Sequence, residues 1–243
     1  MKRAFRIQPQ PDDTTCGPTC LHALYHYYGE DISLNRVISE VKSLEDGGTL
    51  AVYLACHALG RGYSAVIYTY NVQMFDPSWF AGSGCDLAEK LALQAQAKQS
   101  KKLRLATEAY LEYLQLGGKI LFRNLTPRFL RLFLKGRVPV LTGLSATYLY
   151  SCARERDTIG RKRTVFDDIR GTPSGHFVVL TGYDRRNKLV RVADPYKENP
   201  FFKKSYYSVA ATRLINAIML GIVTYDANLL VIEPKAPSAH IRN

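Results

Sequence analysis

Two segments far apart in the chain hold residue types that could together carry acyl transfer. The first is Gln10-Pro-Asp-Asp-Thr-Thr-Cys16-Gly-Pro-Thr-Cys20. From Cys16 onward the pattern is helical: Cys20, Leu21, Leu24 and Tyr28 recur at three- and four-residue steps, and Gly29 is placed to end the helix. Cys16 then stands at the helix N-terminus, where unpaired backbone N–H groups and the helix dipole favour a thiolate. Gly17 leaves room for a substrate backbone, and Pro18 suits a first helical turn. Gln10 offers an amide donor that, with the Cys16 backbone N–H, could bind a developing oxyanion. Taken alone, the segment also reads as a small core cysteine beside a surface glutamine.

The second segment is Gly175-His176-Phe-Val-Val-Leu-Thr-Gly-Tyr-Asp184, followed by Leu189-Val-Arg-Val-Ala-Asp194-Pro195. It reads as a hairpin. A turn centred on Arg185 sets His176 directly opposite Asp194, on one face of the sheet. A carboxylate there would hold one imidazole nitrogen and leave the other for a thiol. A slip of one residue would send the two side chains to opposite faces. Alone, His176 also reads as a satisfied strand-end histidine, and Asp194 as the start of an Asp-Pro turn. Together, a thiol at an early helix start and a late His and Asp form the arrangement of papain-like thiol enzymes. Cys20 is the rival nucleophile, but it lies a turn further in and loses more of the N-terminal field. His22 and His26 are spaced as half a metal site with no third ligand nearby, so no metal is expected. Cys56, Cys85 and Cys152 show no ligand spacing.

The elements that must position these residues follow from the pattern. Phe5–Ile7 suggests a short strand stopped by Pro9 and Pro11. Ser33 can cap a second helix and Thr49 a third, with Gly47-Gly48 between them. Ser64–Tyr70 reads as a strand. Asp86–Leu116 lacks Pro and Gly and reads as one long helix ended by Gly117-Gly118. Thr126-Pro127 starts a short basic helix to Lys135, and Val138–Leu144 reads as a buried strand. Residues 151–174 are polar and aperiodic, a surface loop placed to act as a lid. Ser208–Leu220 reads as a helix and Leu229–Ile232 as a last strand. Helices come first and antiparallel strands cluster late, which predicts an α+β fold. The expected organisation is one domain over 1–243, with a helical insertion at about 75–118 and the polar loop at 151–174.

Composition narrows the classes. The chain has 243 residues, 47% of them apolar and 22% charged, which excludes disorder. Five cysteines do not form a fully paired framework, so reduced thiols in the cytoplasm are expected. The longest apolar run, Ala217–Val223, is too short to span a membrane. Lys and Arg exceed Asp and Glu by 33 to 21, a formal charge of +12. The excess gathers between Lys98 and Arg137, opposed there only by Glu108 and Glu112. It reads either as a solvated helix face or as a guide for an acidic peptide.

The pattern of Gln10, Cys16-Gly17, Cys20, His176–Leu180 and Asp194-Pro195 resembles the C39 peptidase family, over roughly the first 70 residues and from Thr126 onward. The better match is to its stand-alone members, since the chain has neither the membrane spans nor the ATPase motif of the transporter-fused ones. The resemblance implies a papain-like fold with Cys16 as nucleophile, His176 as base, Asp194 as its orienter and Gln10 in the oxyanion hole. It implies hydrolysis of a peptide or isopeptide bond without a cofactor, with acyl transfer to another amine or thiol as a variant. Two other classes stand beside it. One is an inactive peptide-binding module. The other is a nucleic-acid-binding module, suggested by the charge, sixteen tyrosines and Arg161-Lys162-Arg163, but without a recognised nucleic-acid motif.

Overall fold

The segments Phe177–Leu180 and Leu229–Ile232 read as unbroken apolar runs, which is the signature of a sheet covered on both faces. The computed structural model describes residues 3–45, 47–82, 84–157 and 164–235, so Arg161, Lys162 and Arg163 lie outside the described residues. Its helices are α1 (Cys16–Tyr28), α2 (Leu34–Glu40), α3 (Ala51–Gly60), α4 (Leu87–Ala97), α5 (Lys101–Gln115), α6 (Pro127–Lys135), α7 (Ala146–Tyr150) and α8 (Ala211–Leu220). Its strands are β1 (Tyr63–Thr69), β2 (Lys119–Leu121), β3 (Val140–Ser145), β4 (Glu155–Asp157), β5 (Thr164–Phe166), β6 (Gly175–Asp184), β7 (Leu189–Ala193), β8 (Tyr206–Ala210) and β9 (Asn228–Pro234).

Seven strands form one sheet in the order β2-β1-β9-β3-β6-β7-β8. β1 and β2 pair in parallel, and the other ladders of this sheet among the described residues are antiparallel. The fold is therefore α+β. Alternate side chains of the central strands enter two cores. Phe177, Val179, Leu141 and Leu230 pack with α1, α3 and α5 on one face. Val178, Leu180, Val140 and Leu229 pack with α6, α7 and α8 on the other. Gly17 sits where α1 presses on the first core. A Cβ there would come 2.5 Å from Thr49 Cγ2 and 3.3 Å from both Leu54 and Phe177.

Local chemistry sets most boundaries. Gly29 closes α1 in the left-handed region, with φ 96°. Ser33 and Thr126 cap α2 and α6 by accepting from the N–H groups of Arg36 and Phe129. The structure corrects five expectations. Residues 5–7 form no strand; they run along the sheet edge, held by Ile7 N–H donating to Tyr206 Oη at 2.8 Å. Thr49 does not cap α3, because its hydroxyl donates to Lys42 O instead. The long helix is broken, and Ser100 caps the second half by accepting from Leu103 N–H. Residues 151–174 contain the paired strands β4 and β5. Tyr206–Ala210 is an edge strand with alternating burial, not the start of a helix.

The fifth strand pair of the main sheet also departs from expectation. The β6–β7 register is Asp184 with Leu189 through Gly182 with Arg191, then shifts, so that Leu180 pairs with Val192 and Val179 with Ala193. Thr181 is the extra residue of a bulge. His176 is therefore not directly opposite Asp194; it pairs with Leu144 of β3, and Asp194 follows the last pair of β7 on the other side.

Gly17→Ala is expected to lower the unfolding free energy by about 1–3 kcal/mol through overpacking. Urea unfolding with an unchanged slope would register it.

Candidate active site

Cys16 is the first residue of α1 and only 8% exposed. Thr15 makes no side-chain cap, and the first turn carries no acidic residue. Thr15 is occupied elsewhere: its hydroxyl donates to Asp12 O at 3.3 Å. The free N–H groups of the helix start are thus left open to an anion at or beside the Cys16 sulfur. Upstream, Asp12 Oδ1 accepts from both Thr14 N–H and Thr14 Oγ1 at 2.8 Å, which shapes the turn into the helix.

His176, second residue of β6, donates from Nε2 to Asp194 Oδ1 at 2.9 Å. Cys16 lies close enough to add to the electrostatics of the ring, and with Nε2 engaged by Asp194 the nitrogen left over is Nδ1. Burial disfavours the imidazolium, but the Asp194 charge and hydrogen bond, with the Cys16 contact, outweigh it and hold the His176 pKa up at about 10. Asp194 has no solvent exposure. Its remaining needs are met by Tyr196 N–H at 2.8 Å and by the hydroxyls of Tyr150 and Tyr207, each 2.7 Å from Oδ2. Burial, with Asp194 nearby, pushes both phenols far up, so they remain donors.

Gln10 reaches this group through its backbone, whose N–H donates to Pro195 O at 3.0 Å. One Nε2 hydrogen goes to Asp12 O at 2.7 Å, and the amide keeps a second. Gln10, Gly47, Gly48, Glu155, Phe166 and His176 are among the residues lining one cavity of about 330 Å³. Two expected roles change here. Gly47-Gly48 is part of the cleft wall as well as a break between helices, and the segment 151–174 contributes its β4–β5 ribbon to the same wall.

The other thiols are set apart. Cys20 is fully buried, its Sγ donates to Phe177 O at 3.3 Å, and burial raises it well above an ordinary thiol. Burial pushes Cys56 up to about 12 and also raises Cys152. His22 Nε2 faces Ile32 O at 3.1 Å, and no group of three metal-ligating side chains occurs among the described residues. Sequence reasoning missed Tyr150, Tyr196 and Tyr207, because scattered tyrosines carry no spacing that refers to Asp194.

With that geometry in hand, residues 130–213 match the model of the Peptidase_C39 like family. The stretch holds His176 and Asp194 and stops short of Gln10 and Cys16. No curated protein matches the sequence significantly. Over its length the chain is similar to a structure from Bacillus anthracis described as a C39-like peptidase, with 14% identity, 96% of each chain covered and a TM-score of 0.52. Its fold is that of the C39-like peptidases. Two further solved structures were found. One is a double glycine motif protease from an AMS/PCAT transporter in complex with its leader peptide, 13% identical over 96% of this chain and 94% of that one, TM-score 0.46. The other is the peptidase domain of Streptococcus ComA, 12% identical over 96% and 100%, TM-score 0.45. Among the described residues, no helix is long and apolar enough to cross a membrane.

The His176–Asp194 pair carries a pH dependence with a definite sign. The folded imidazole holds its proton more tightly than the unfolded one, whose value is about 6.5. The stabilisation is whole below that value and is lost as pH rises through about 10. Urea unfolding at several pH values should show this alkaline loss in the wild type and a flatter profile in Asp194→Asn.

Proposed function

We propose that this chain is a cysteine peptidase in which Cys16 is the nucleophile, His176 the general base and acid, Asp194 its orienter and Gln10 an oxyanion donor. The observation that carries the reading is one imidazole, His176, bonded to the buried Asp194 through Nε2 and close enough to Cys16 to feel its charge. The Cys16 sulfur attacks the carbonyl carbon of a peptide or isopeptide bond, and its proton passes to His176 Nδ1. The Cys16 N–H and the spare Gln10 N–H hold the developing oxyanion. His176 then protonates the leaving amine. Water, activated by the same imidazole, releases the acid, and a second amine or thiol in its place would give transfer. No step calls on a cofactor, and the expected place of action is the cytoplasm.

The substrate class is a peptide with an acidic portion. Support comes from the basic run of α5, α6 and their flanks, where Lys98, Lys101, Arg104, Lys119, Arg123, Arg128 and Lys135 are exposed. None of these lines the cleft, whose wall includes Asp13 and Glu155. The acidic portion would therefore be held away from the scissile bond. Residues 75–118 and 151–174 serve, in this reading, as additions to a single peptidase domain.

Iodoacetamide at neutral pH should label Cys16 ahead of the other four thiols, and His176→Ala should abolish that preference. Equal slow labelling of every thiol would refute the assignment. On a cleaved peptide, Cys16→Ala should remove turnover, and Gln10→Ala should lower kcat by about 10²–10³-fold, the loss of one oxyanion donor.

Turnover of acidic peptides should weaken as salt rises from low to high ionic strength, while neutral peptides change little. Equal salt responses would exclude steering by the basic run.

A further inference from the structure

A second buried carboxylate stands beside the catalytic histidine and has no part in the scheme above. Asp226 precedes β9 and is 7% exposed. Three glycines from three segments close around it. A Cβ on Gly143 of β3 would lie 2.6 Å from Asp226 O and 2.7 Å from Asp226 Cβ. One on Gly221 would come within 3.3 Å of Asp226 C. One on Gly175 would collide with the Asp226 carboxylate itself. Gly175 is the residue before His176, so the carboxylate is packed against the peptide that carries the imidazole. The backbone of Asp226 is also fixed: its N–H donates to Gly221 O at 2.8 Å, and its carbonyl accepts from Asn228 N–H at 2.6 Å.

Hydrogen bonds do little to satisfy that carboxylate. Thr224 can offer it one hydroxyl, which also reaches Gly221 O at 3.1 Å. The charged and titratable groups facing it are His176 from β6 and Lys102 and Tyr110 from α5. Lys102 lies over the ring of the neighbouring Tyr225, 4.6 Å from its centroid. Tyr225 itself holds a left-handed backbone, φ 70°, at the turn that delivers Asp226 into the cradle.

We propose that Asp226 is a positioning residue for His176, seating the start of β6 through Gly175 and favouring the imidazolium form of His176 when its own carboxyl is ionised. This rests on the peptidase reading for its consequence, not for its geometry. Burial pushes the Asp226 carboxyl up to about 7, against the opposing pull of Thr224, Lys102 and His176. Its charge therefore changes in the neutral range, where a fully solvated aspartate would not titrate. Below that range a neutral Asp226 withdraws its support from the imidazolium, and above it the support is complete.

The test is an NMR titration of the His176 ring in the full chain, wild type against Asp226→Asn. The wild-type signal should show a neutral inflection near pH 7 besides its own alkaline titration. In the variant that inflection should vanish and the alkaline titration should move to lower pH. Superimposable curves would overturn the proposal. If Asp226→Asn does not fold, Lys102→Gln, at an exposed position, replaces it. Removing that facing cation should move the neutral inflection to higher pH, and an inflection left in place would overturn the proposal. Alkylation of Cys16 by iodoacetamide is followed in parallel in both proteins. An unreactive Cys16 in the wild type would sink the peptidase reading and leave the His176 titration to decide on Asp226.

Discussion

Asp194 is a carboxylate without contact with water, and such a group is tolerated in a fold only when every lone pair finds a donor. Four donors reach it, and each comes with a structural commitment. Tyr207 requires that β8 pair with the outer edge of β7. Tyr150 requires that the chain leave β3 directly into α7, which Ser145 starts by accepting from Tyr148 N–H. Tyr196 N–H requires the tight turn after Asp194. His176 Nε2 requires that β6 present its second residue to the same spot. A carboxylate filled from four directions cannot swing, so the imidazole it holds has one orientation and one nitrogen to spare. The position of the imidazole is thus set by a polar cluster around Asp194.

The bulge at Thr181 decides whether that cluster can form. On the turn side of the bulge Gly182 pairs with Arg191, and continuing that register would bring Asp194 opposite Val179 and into the core shared with α1 and α3. The extra residue shifts the pairing by one, and side-chain parity then places Asp194 on the face of His176, Val178 and Leu180. Asp194 is a diagonal neighbour of His176, not its direct partner, and the imidazole spans the difference. Cys16 belongs to the core on the opposite face. A helix on one face and a histidine on the other can meet at a strand end, and His176 is one residue from the end of β6.

Much of this was legible in the chain. The helices of the first segment carry their own signals, with Cys16 at a helix start, Gly29 as a left-handed stop, and Ser33 and Thr126 as caps. The proposed site residues could be picked out because thiol, imidazole, carboxylate and amide are unusual companions in those sequence contexts. What stayed hidden depended on partners remote in sequence. The alternation of Tyr207 and Val209 is too short to separate from the helix that follows without a breaker. The split between α4 and α5 uses neither Gly nor Pro, only a serine cap. The hairpin was expected two residues out of register, since its turn is centred beyond Arg185, held by Asp184 accepting from Arg186 and Asn187 N–H, and a bulge leaves no mark in composition. Asp226 looks like an ordinary turn residue until Gly143, Gly175 and Gly221 are seen to meet around it.

The two aspartates beside His176 show that environment, not residue type, divides the work. Asp194 is surrounded by donors from strands, helix and turn, which fix its carboxylate in place against the imidazole. Asp226 sits among glycine backbones that bring close packing and few hydrogen bonds, so burial outweighs the pull of Thr224, Lys102 and His176 and pushes its carboxyl up to about 7. Two carboxylates of unequal donor supply around one imidazole separate an orienting role from a titratable one. Placing the second behind a glycine also explains the residue before His176: any side chain there would displace the carboxylate and, with it, the peptide from which the imidazole projects.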